Sequence, residues 1–262
     1  MVSKRGIIGY MSKRVVVITG GGSGMGLAAA LKFAANGDKV YILGRSEDKL
    51  KEASKLSEHI DYLVADVTNI SQLQKARQEL LKAEKGIDVL VNSAGGRGSK
   101  KPSEKPSPEE LAEVWDEVVK LNLSSVYYVI QTFVDLIRNS GRIINISSLA
   151  AHTGSSQGGV IGTSYAAAKS GIHGIDRTLA KELGVKKITI NSIAPGLVQS
   201  TDFFGKEGIP DRVKDRYNDS ILMGRIGEPE DIAAGVFYLA SEEADWITGE
   251  ILNINGGSAF GR

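Results

Sequence analysis

Short apolar, β-branched runs alternate with helical stretches along almost the whole 262-residue chain, and this alternation limits the folds open to it. The runs are 15–19, 39–44, 60–65, 89–92, 142–146, 189–194 and 251–255. The first, Val-Val-Val-Ile-Thr, is β-branched throughout, which fits a strand buried on both faces. Helical stretches lie between them: 24–35, 47–56, 108 to about 139, 165–183 and 229–240. Another helix carries Ile70, Leu73, Ala76, Leu80 and Leu81 as one stripe and ends near Gly86. Asn36-Gly37 closes the first helix, and Ser107-Pro108-Glu109-Glu110 reads as a capping box with proline at the first helical position. Strands linked through helices need crossovers, so the sheet is mainly parallel. Right-handed crossovers put helices on both faces. The expected fold is α/β, a doubly wound, mainly parallel seven-stranded sheet in one domain spanning 14–262. Residues 1–13 read as a flexible lead-in, with Met11 as an alternative native start.

Composition removes whole classes of chemistry. The chain has no cysteine, which excludes disulfides, thiolate metal sites, iron–sulfur clusters and cysteine nucleophiles. Three scattered histidines argue against a histidine-rich metal site. A net charge of +1 without long single-sign runs gives no reason to expect nucleic acid or an anionic membrane as partner. No apolar stretch nears the ~20 residues of a membrane span, and no secretory signal is present, so a cytoplasmic location is expected. Glycine is in surplus, at 31 residues against a usual level of roughly 7%.

The densest glycines follow the first strand: Thr19-Gly20-Gly21-Gly22-Ser23-Gly24-Met25-Gly26. Glycine lets backbone approach a pyrophosphate, and the following helix N-terminus offers free N–H groups and a positive dipole. A tight strand–helix turn without a ligand is the plain alternative. Position favours nucleotide binding, because this is the first βα turn of a doubly wound pattern. Three further stretches, 96–106, 150–164 and roughly 199–227, share the carboxyl edge where open α/β sheets bind ligands.

The spacing of Thr19, Gly20, Gly24 and Gly26 resembles the short-chain dehydrogenase/reductase family, in its short single-domain branch. Other motifs follow in the family's order. They are Ala65-Asp66-Val67, Asn92-Ser93-Ala94-Gly95, Leu121-Asn122-Leu123, Ile146-Ser147-Ser148 and Tyr165-Ala166-Ala167-Ala168-Lys169. Asn191 to Gly196, Arg225-Ile226-Gly227-Glu228-Pro229-Glu230 and Asn255-Gly256-Gly257 complete the set. The resemblance covers about 14–258 and implies a Rossmann-like fold.

It also implies roles. Tyr165 and Lys169 lie four apart on one helix face, where an ammonium favours the phenolate. The resemblance makes Tyr165 the general acid/base, and Lys169 the group that lowers its pKa and holds the nicotinamide ribose. It makes Ser148 the hydroxyl that binds the substrate oxygen, with Ser147 as the neighbour to exclude, and Asn122 the anchor of a proton-relaying water. Gly20, Gly22, Ser23, Gly24, Met25 and Gly26 would hold the cofactor phosphates; Asp66 and Val67 the adenine; Asn92, Ala94 and Gly95 the cofactor wall. Pro195, Gly196 and Val198 would pass the nicotinamide, followed by a hydroxyl from Ser200 or Thr201. Gly44 stands where an NAD-binding carboxylate would be, and Arg45 follows, which favours NADP(H) while leaving NAD(H) possible.

Sixteen residues separate Ser148 from Tyr165, about four more than the family usually has, so 150–164 reads as an enlarged loop beside the substrate. His152 reads as a loop residue, and His59 and His173 as surface or helix-packing residues. Residues 201–219, with Phe203-Phe204 and then mixed charges, read as a mobile lid. The expected partner is a small ketone or secondary alcohol, a 3-oxoacyl thioester or another small carbonyl or sugar alcohol. The resemblance also implies pairing of the long helices across a two-fold axis, giving a homotetramer or homodimer. The rival reading is a catalytically silent NAD(P)-binding regulator on the same fold.

Overall fold

β1 (Val15–Thr19) is buried along its whole length, and its alternation divides it between two cores. Val16 and Ile18 face one layer, Val15 and Val17 the other. Burying each such side chain contributes about 1.5–3 kcal/mol, so one strand ties both layers together. The structure is a computed structural model that describes residues 13–199, 209, 214 and 220–260.

The other strands are β2 (Lys39–Gly44), β3 (Ile60–Val64), β4 (Ile87–Asn92), β5 (Ile137–Ile146), β6 (Thr189–Pro195) and β7 (Ile251–Ile254). They form one parallel sheet in the order β3-β2-β1-β4-β5-β6-β7. The first face carries α1 (Gly24–Ala35) and α2 (Glu47–Ser54), with a helix near the end of the chain, Pro229–Leu239, against α1. Phe33 and Phe237 meet there, ring centroids 5.3 Å apart. The second face carries α3 (Ile70–Ala83), α5 (Ser125–Phe133) and α7 (Gly159–Leu183), with α4 (Pro108–Val119) packed against α7. A short α6 (Ala150–Thr153) precedes α7, and Pro229–Leu239 is α8. The strand order reverses between β1 and β4, which opens a crevice at their carboxyl ends.

Several expectations need correction. The stripe on α3 is narrower than expected: Leu73, Ala76 and Leu80 are buried, but Ile70 and Leu81 are exposed. The long helix ends at Phe133, not near 139, and a π-helical turn at Lys120–Ser124 interrupts it. β5 begins at Ile137, which pairs with Ile87 before the register jumps to Val89 opposite Arg142. Ser140 takes a positive φ of 63° inside that irregularity, so the polar segment before Arg142 belongs to the sheet. α7 starts six residues before Tyr165, so the 150–164 loop is mostly helical. The Ser107 hydroxyl accepts from Glu110 N at 3.2 Å, but the Glu110 carboxylate accepts from Ser103, so the box is half made. Among the described residues, no helix is long and apolar enough to cross a membrane. Ser200, Thr201 and nearly all of the expected lid lie outside the described residues.

Candidate active site

The glycine turn is built by close backbone approach. The Thr19 hydroxyl accepts from Ser93 N and Ala94 N, both at 3.2 Å, joining the ends of β1 and β4. A Cβ on Gly26 would stand 2.4 Å from the Gly20 carbonyl oxygen. The turn therefore curls tightly onto the first turn of α1. That turn contains no acidic residue, so its N–H groups and dipole suit an anion.

The crevice holds a cavity of about 960 Å³. Gly20, Gly22, Ser23, Gly24, Met25 and Gly26 line one part of it. Beyond them stand Arg45 and Lys49, the latter beside the Gly22 backbone, with Val67. Lys49 is a basic residue the sequence reading missed; its signal is the third position of the helix that follows Ser46. Asp66 does not line the cavity: its carboxylate accepts from Thr68 N at 2.8 Å and Thr68 Oγ1 at 2.7 Å. Ala94, Gly95, Ile146, Tyr165 and Lys169 line the other end.

Tyr165 and Ser148 are hydrogen bonded. Ser147 points elsewhere, its hydroxyl 2.8 Å from His173 Nε2 and 3.2 Å from the Lys169 carbonyl. His173 is buried, with its pKa lowered to about 4 by burial and by the nearby charges of His152 and Arg177. His152 sits on α6 with its ring 5.2 Å from that of His173. Lys169 is buried; its Nζ donates to the Ile146 carbonyl at 2.7 Å and lies 5.8 Å from the Tyr165 ring centre. Burial lowers the Lys169 pKa to about 8. Burial raises that of Tyr165, while the Ser148 hydrogen bond and the Arg97 guanidinium pull it down. Arg97, a second residue the sequence reading missed, lines the same cavity.

Asn122 lies within the π-helical turn and is fully buried. Its Nδ2 donates to the carbonyls of Gly96 at 2.7 Å and Val118 at 2.9 Å, and its Oδ1 accepts from Gly96 N at 3.0 Å. A Cβ on Gly95 would lie 2.9 Å from Asn122 Oδ1 and 3.3 Å from Lys169 Nζ, so the bare backbone separates these two groups.

Asn92 turns into the sheet instead of the cavity. Its Nδ2 donates to Asn145 Oδ1 at 2.8 Å, and Asn145 Nδ2 to Asp176 Oδ1 at 2.6 Å. Ser192 donates to Asp176 Oδ2 at 2.5 Å. Burial lifts the Asp176 pKa to about 6 against these two hydrogen bonds. Pro195 ends β6 and Gly196 follows it on the same edge, where the Pro195 carbonyl accepts from Leu149 N at 2.9 Å, but neither lines the cavity. Val198 bridges to Gly227 and faces a separate hollow.

Residues 20–259 match a family model described as enoyl-(acyl carrier protein) reductase. A 3-oxoacyl-(acyl-carrier-protein) reductase of Chlamydia muridarum is 35% identical over 253 residues, covering 94% of this chain and 97% of the relative. The enzyme of the same description from Thermotoga maritima is 34% identical over 250 residues, covering 93% and 97%. A solved short-chain dehydrogenase/reductase from Serratia marcescens superimposes with a TM-score of 0.80 at 29% identity, over 94% of this chain and 98% of that one. Fold, cavity and likeness define an NAD(P)-dependent oxidoreductase acting on CH–OH or C=O groups. The chain belongs to the short-chain dehydrogenase/reductase family. The glycine cradle, where an added Cβ would meet backbone, fits the phosphates of a nicotinamide dinucleotide.

Proposed function

We propose that the protein moves a hydride between NADP(H) and a ketone or secondary alcohol, with Tyr165 as general acid/base. The observation that carries this reading is the Tyr165–Ser148 hydrogen bond beside the buried ammonium of Lys169. The dinucleotide, when bound, supplies or accepts the hydride. In reduction, Tyr165 gives its phenolic proton to the carbonyl oxygen; in oxidation it takes the proton back. The Ser148 hydroxyl orients that oxygen. Lys169 holds the ribose and supports reprotonation, and Asn122 anchors the relay.

Lys169 gives this reading a pH signature. With its pKa lowered to about 8, the lysine keeps its proton at neutral pH and loses it as pH rises through that value. Reductase kcat/KM is expected to fall above about pH 8. A profile flat between about pH 7 and pH 10 would refute this role.

NADP(H) is favoured because Arg45, directly after Gly44, and Lys49, beside Gly22, both line the cavity at the glycine turn. Arg45→Ala should raise the NADPH KM about 10- to 100-fold, the scale of one lost charge-assisted hydrogen bond, and leave the NADH KM nearly unchanged. Adding Lys49→Ala should deepen the effect. Equal changes for both cofactors would remove the phosphate role.

A 3-oxoacyl thioester is a candidate substrate, because the relatives above carry that description. The test is a panel of carbonyls with NADPH and NADH, followed by loss of reduced-nicotinamide absorbance. Tight cofactor binding without turnover across the panel would instead indicate a silent NAD(P)-binding regulator. A cytoplasmic homotetramer completes the proposal. The α4 and α5 surface exposes Trp115 and Tyr127, and the edge strand β7 is half-buried along its length, which supports contacts at both places.

A further inference from the structure

The helix that carries Tyr165 and Lys169 grips the end of β5 through a row of polar contacts, and one of them has no part in the proton-transfer scheme. Lys169, His173 and Asp176 follow one another at i, i+4 and i+7 on the buried face of α7. They meet three successive residues, the last two of β5 and the one after it. Asn145 Nδ2 donates to the Asp176 carboxylate at 2.6 Å, and the Lys169 ammonium donates to the Ile146 carbonyl at 2.7 Å. The His173 ring nitrogen stands 2.8 Å from the Ser147 hydroxyl. Ser148, the hydrogen-bond partner of Tyr165, comes next in the chain. Apolar side chains such as Ile172 and Leu179 share this face of α7, and such contacts tolerate sliding. Directional bonds do not: a shift by one residue's rise, about 1.5 Å, would break each of them.

His173 is the member of the row whose partner adjoins Ser148, and it does not line the cavity. Its pKa, lowered to about 4 by burial and by the charges of His152 and Arg177, leaves it neutral at working pH with a single ring N–H. Ser147 has one hydroxyl proton, which goes to the Lys169 carbonyl at 3.2 Å. Its oxygen is left to accept, so the imidazole carries its proton on Nε2 and donates it there. The Ser147 hydroxyl thus joins His173 to the backbone of Lys169. The strand side is held separately: Ser147 N donates to the Ile193 carbonyl at 2.7 Å, and Leu149 N to that of Pro195 at 2.9 Å. Those bonds fix where Ser148 sits on the sheet. The His173–Ser147 pair fixes how α7 sits against it. α6 is tied to α7 as well, since Ser170 Oγ donates to the Ala151 carbonyl at 2.9 Å and the His152 ring lies 5.2 Å from that of His173.

We infer that His173 is a positioning residue: its Nε2–H, acting through the Ser147 hydroxyl, sets the register of α7 on β5 that brings the Tyr165 phenol to Ser148. This rests on the reductase reading above and deepens it. His173 touches neither substrate nor cofactor in this account; it acts through Ser147 on the geometry of the pair that does.

A signal from the Tyr165 ring tests this without turnover. Tyrosine isotopically labelled at Cζ gives a nuclear magnetic resonance that responds to hydrogen bonding of the phenol, and the Tyr165 signal is the one lost in Tyr165→Phe. Ser148→Ala calibrates the shift that follows loss of the Tyr165–Ser148 bond. His173→Leu and Ser147→Ala should each move the resonance in that same direction. His173→Gln, whose side-chain amide can donate from near the position of Nε2, should return it toward wild type. In turnover of a ketone, His173→Leu should lower kcat about 10- to 100-fold, the scale of a misplacement of about 1 Å, and His173→Gln should recover most of it. A Tyr165 resonance unmoved by Ser147→Ala, or by a folded His173→Leu, would overturn the inference. So would a displacement that His173→Gln shares in full, since the packing of the ring and not its donor would then be responsible. Ser147→Ala breaks the same bond by removing one oxygen, and it decides the matter if His173→Leu does not fold. Failure of wild type to reduce any ketone would refute the reductase reading, while the Tyr165 resonance would still decide the role of His173.

Discussion

Tyr165→Phe is expected to lower kcat by about 100- to 10,000-fold, the usual contribution of a positioned general acid. The substitution removes one oxygen and keeps the ring that packs beside Lys169. NADPH affinity should change far less than kcat, since the glycine turn and the basic residues beyond it are left intact. Steady-state kinetics with a cofactor titration on the same preparation checks both halves. Retention of kcat within about tenfold of wild type would remove Tyr165 from the proton-transfer step. The same variant tests Ser148 indirectly, because that hydroxyl loses its Tyr165 partner.

Gly26→Val should damage both the fold and cofactor binding. A Cβ there meets the carbonyl oxygen and carbon of Gly20 at 2.4 and 2.8 Å, and both are backbone atoms that no side-chain rotation can move. Overpacking of this kind costs about 1–3 kcal/mol. At this chain length that corresponds to a Tm drop of several degrees, at about 2–4 °C per kcal/mol. NADPH affinity should fall at least about tenfold, because the displaced backbone is the part that would cradle the phosphates. Gly22→Ala is the contrast within the same turn. Its Cβ would meet Leu50 and Lys49 side-chain carbons at 3.4 and 3.6 Å, ordinary contacts, so Tm should hold. Equal losses of Tm in the two variants would show that the close approach at Gly26 is not what the turn depends on.

Local patterns announced the parts of this molecule that depend on local chemistry. The continuous β-branched run of β1, the glycines after it and the alternation of strands and helices led to the doubly wound sheet. The four-residue spacing of Tyr165 and Lys169 led to the cavity wall they share. What failed was what tertiary contacts decide. The polar segment ahead of Arg142 reads as a helix end, yet Ile137 is drawn into the sheet by pairing with Ile87. Gly159 to Ser164 read as a loop, yet the hydroxyls of Thr163 and Ser164 bond back to the carbonyls of Gly159 and Val160 within α7. Asp66 and Asn92 match motif positions, but Thr68 and Asn145 claim their side chains. Lys49 and Arg97 enter the site only because folding brings a helix start and a loop to the same crevice.

The π-helical turn at Lys120–Ser124 has a geometric corollary. Ser125 N–H reaches back five residues to the Lys120 carbonyl, so this turn holds one residue more than an α-helical turn. One extra residue rotates everything beyond it by about 100° about the helix axis. The two halves of the helix are out of phase, and each half still buries its own apolar residues, Val114 and Val118 before the turn and Val126, Val129 and Ile130 after it. Asn122 occupies the seam between the two phases. The number of residues across that seam, more than their identity, sets the direction in which its amide points.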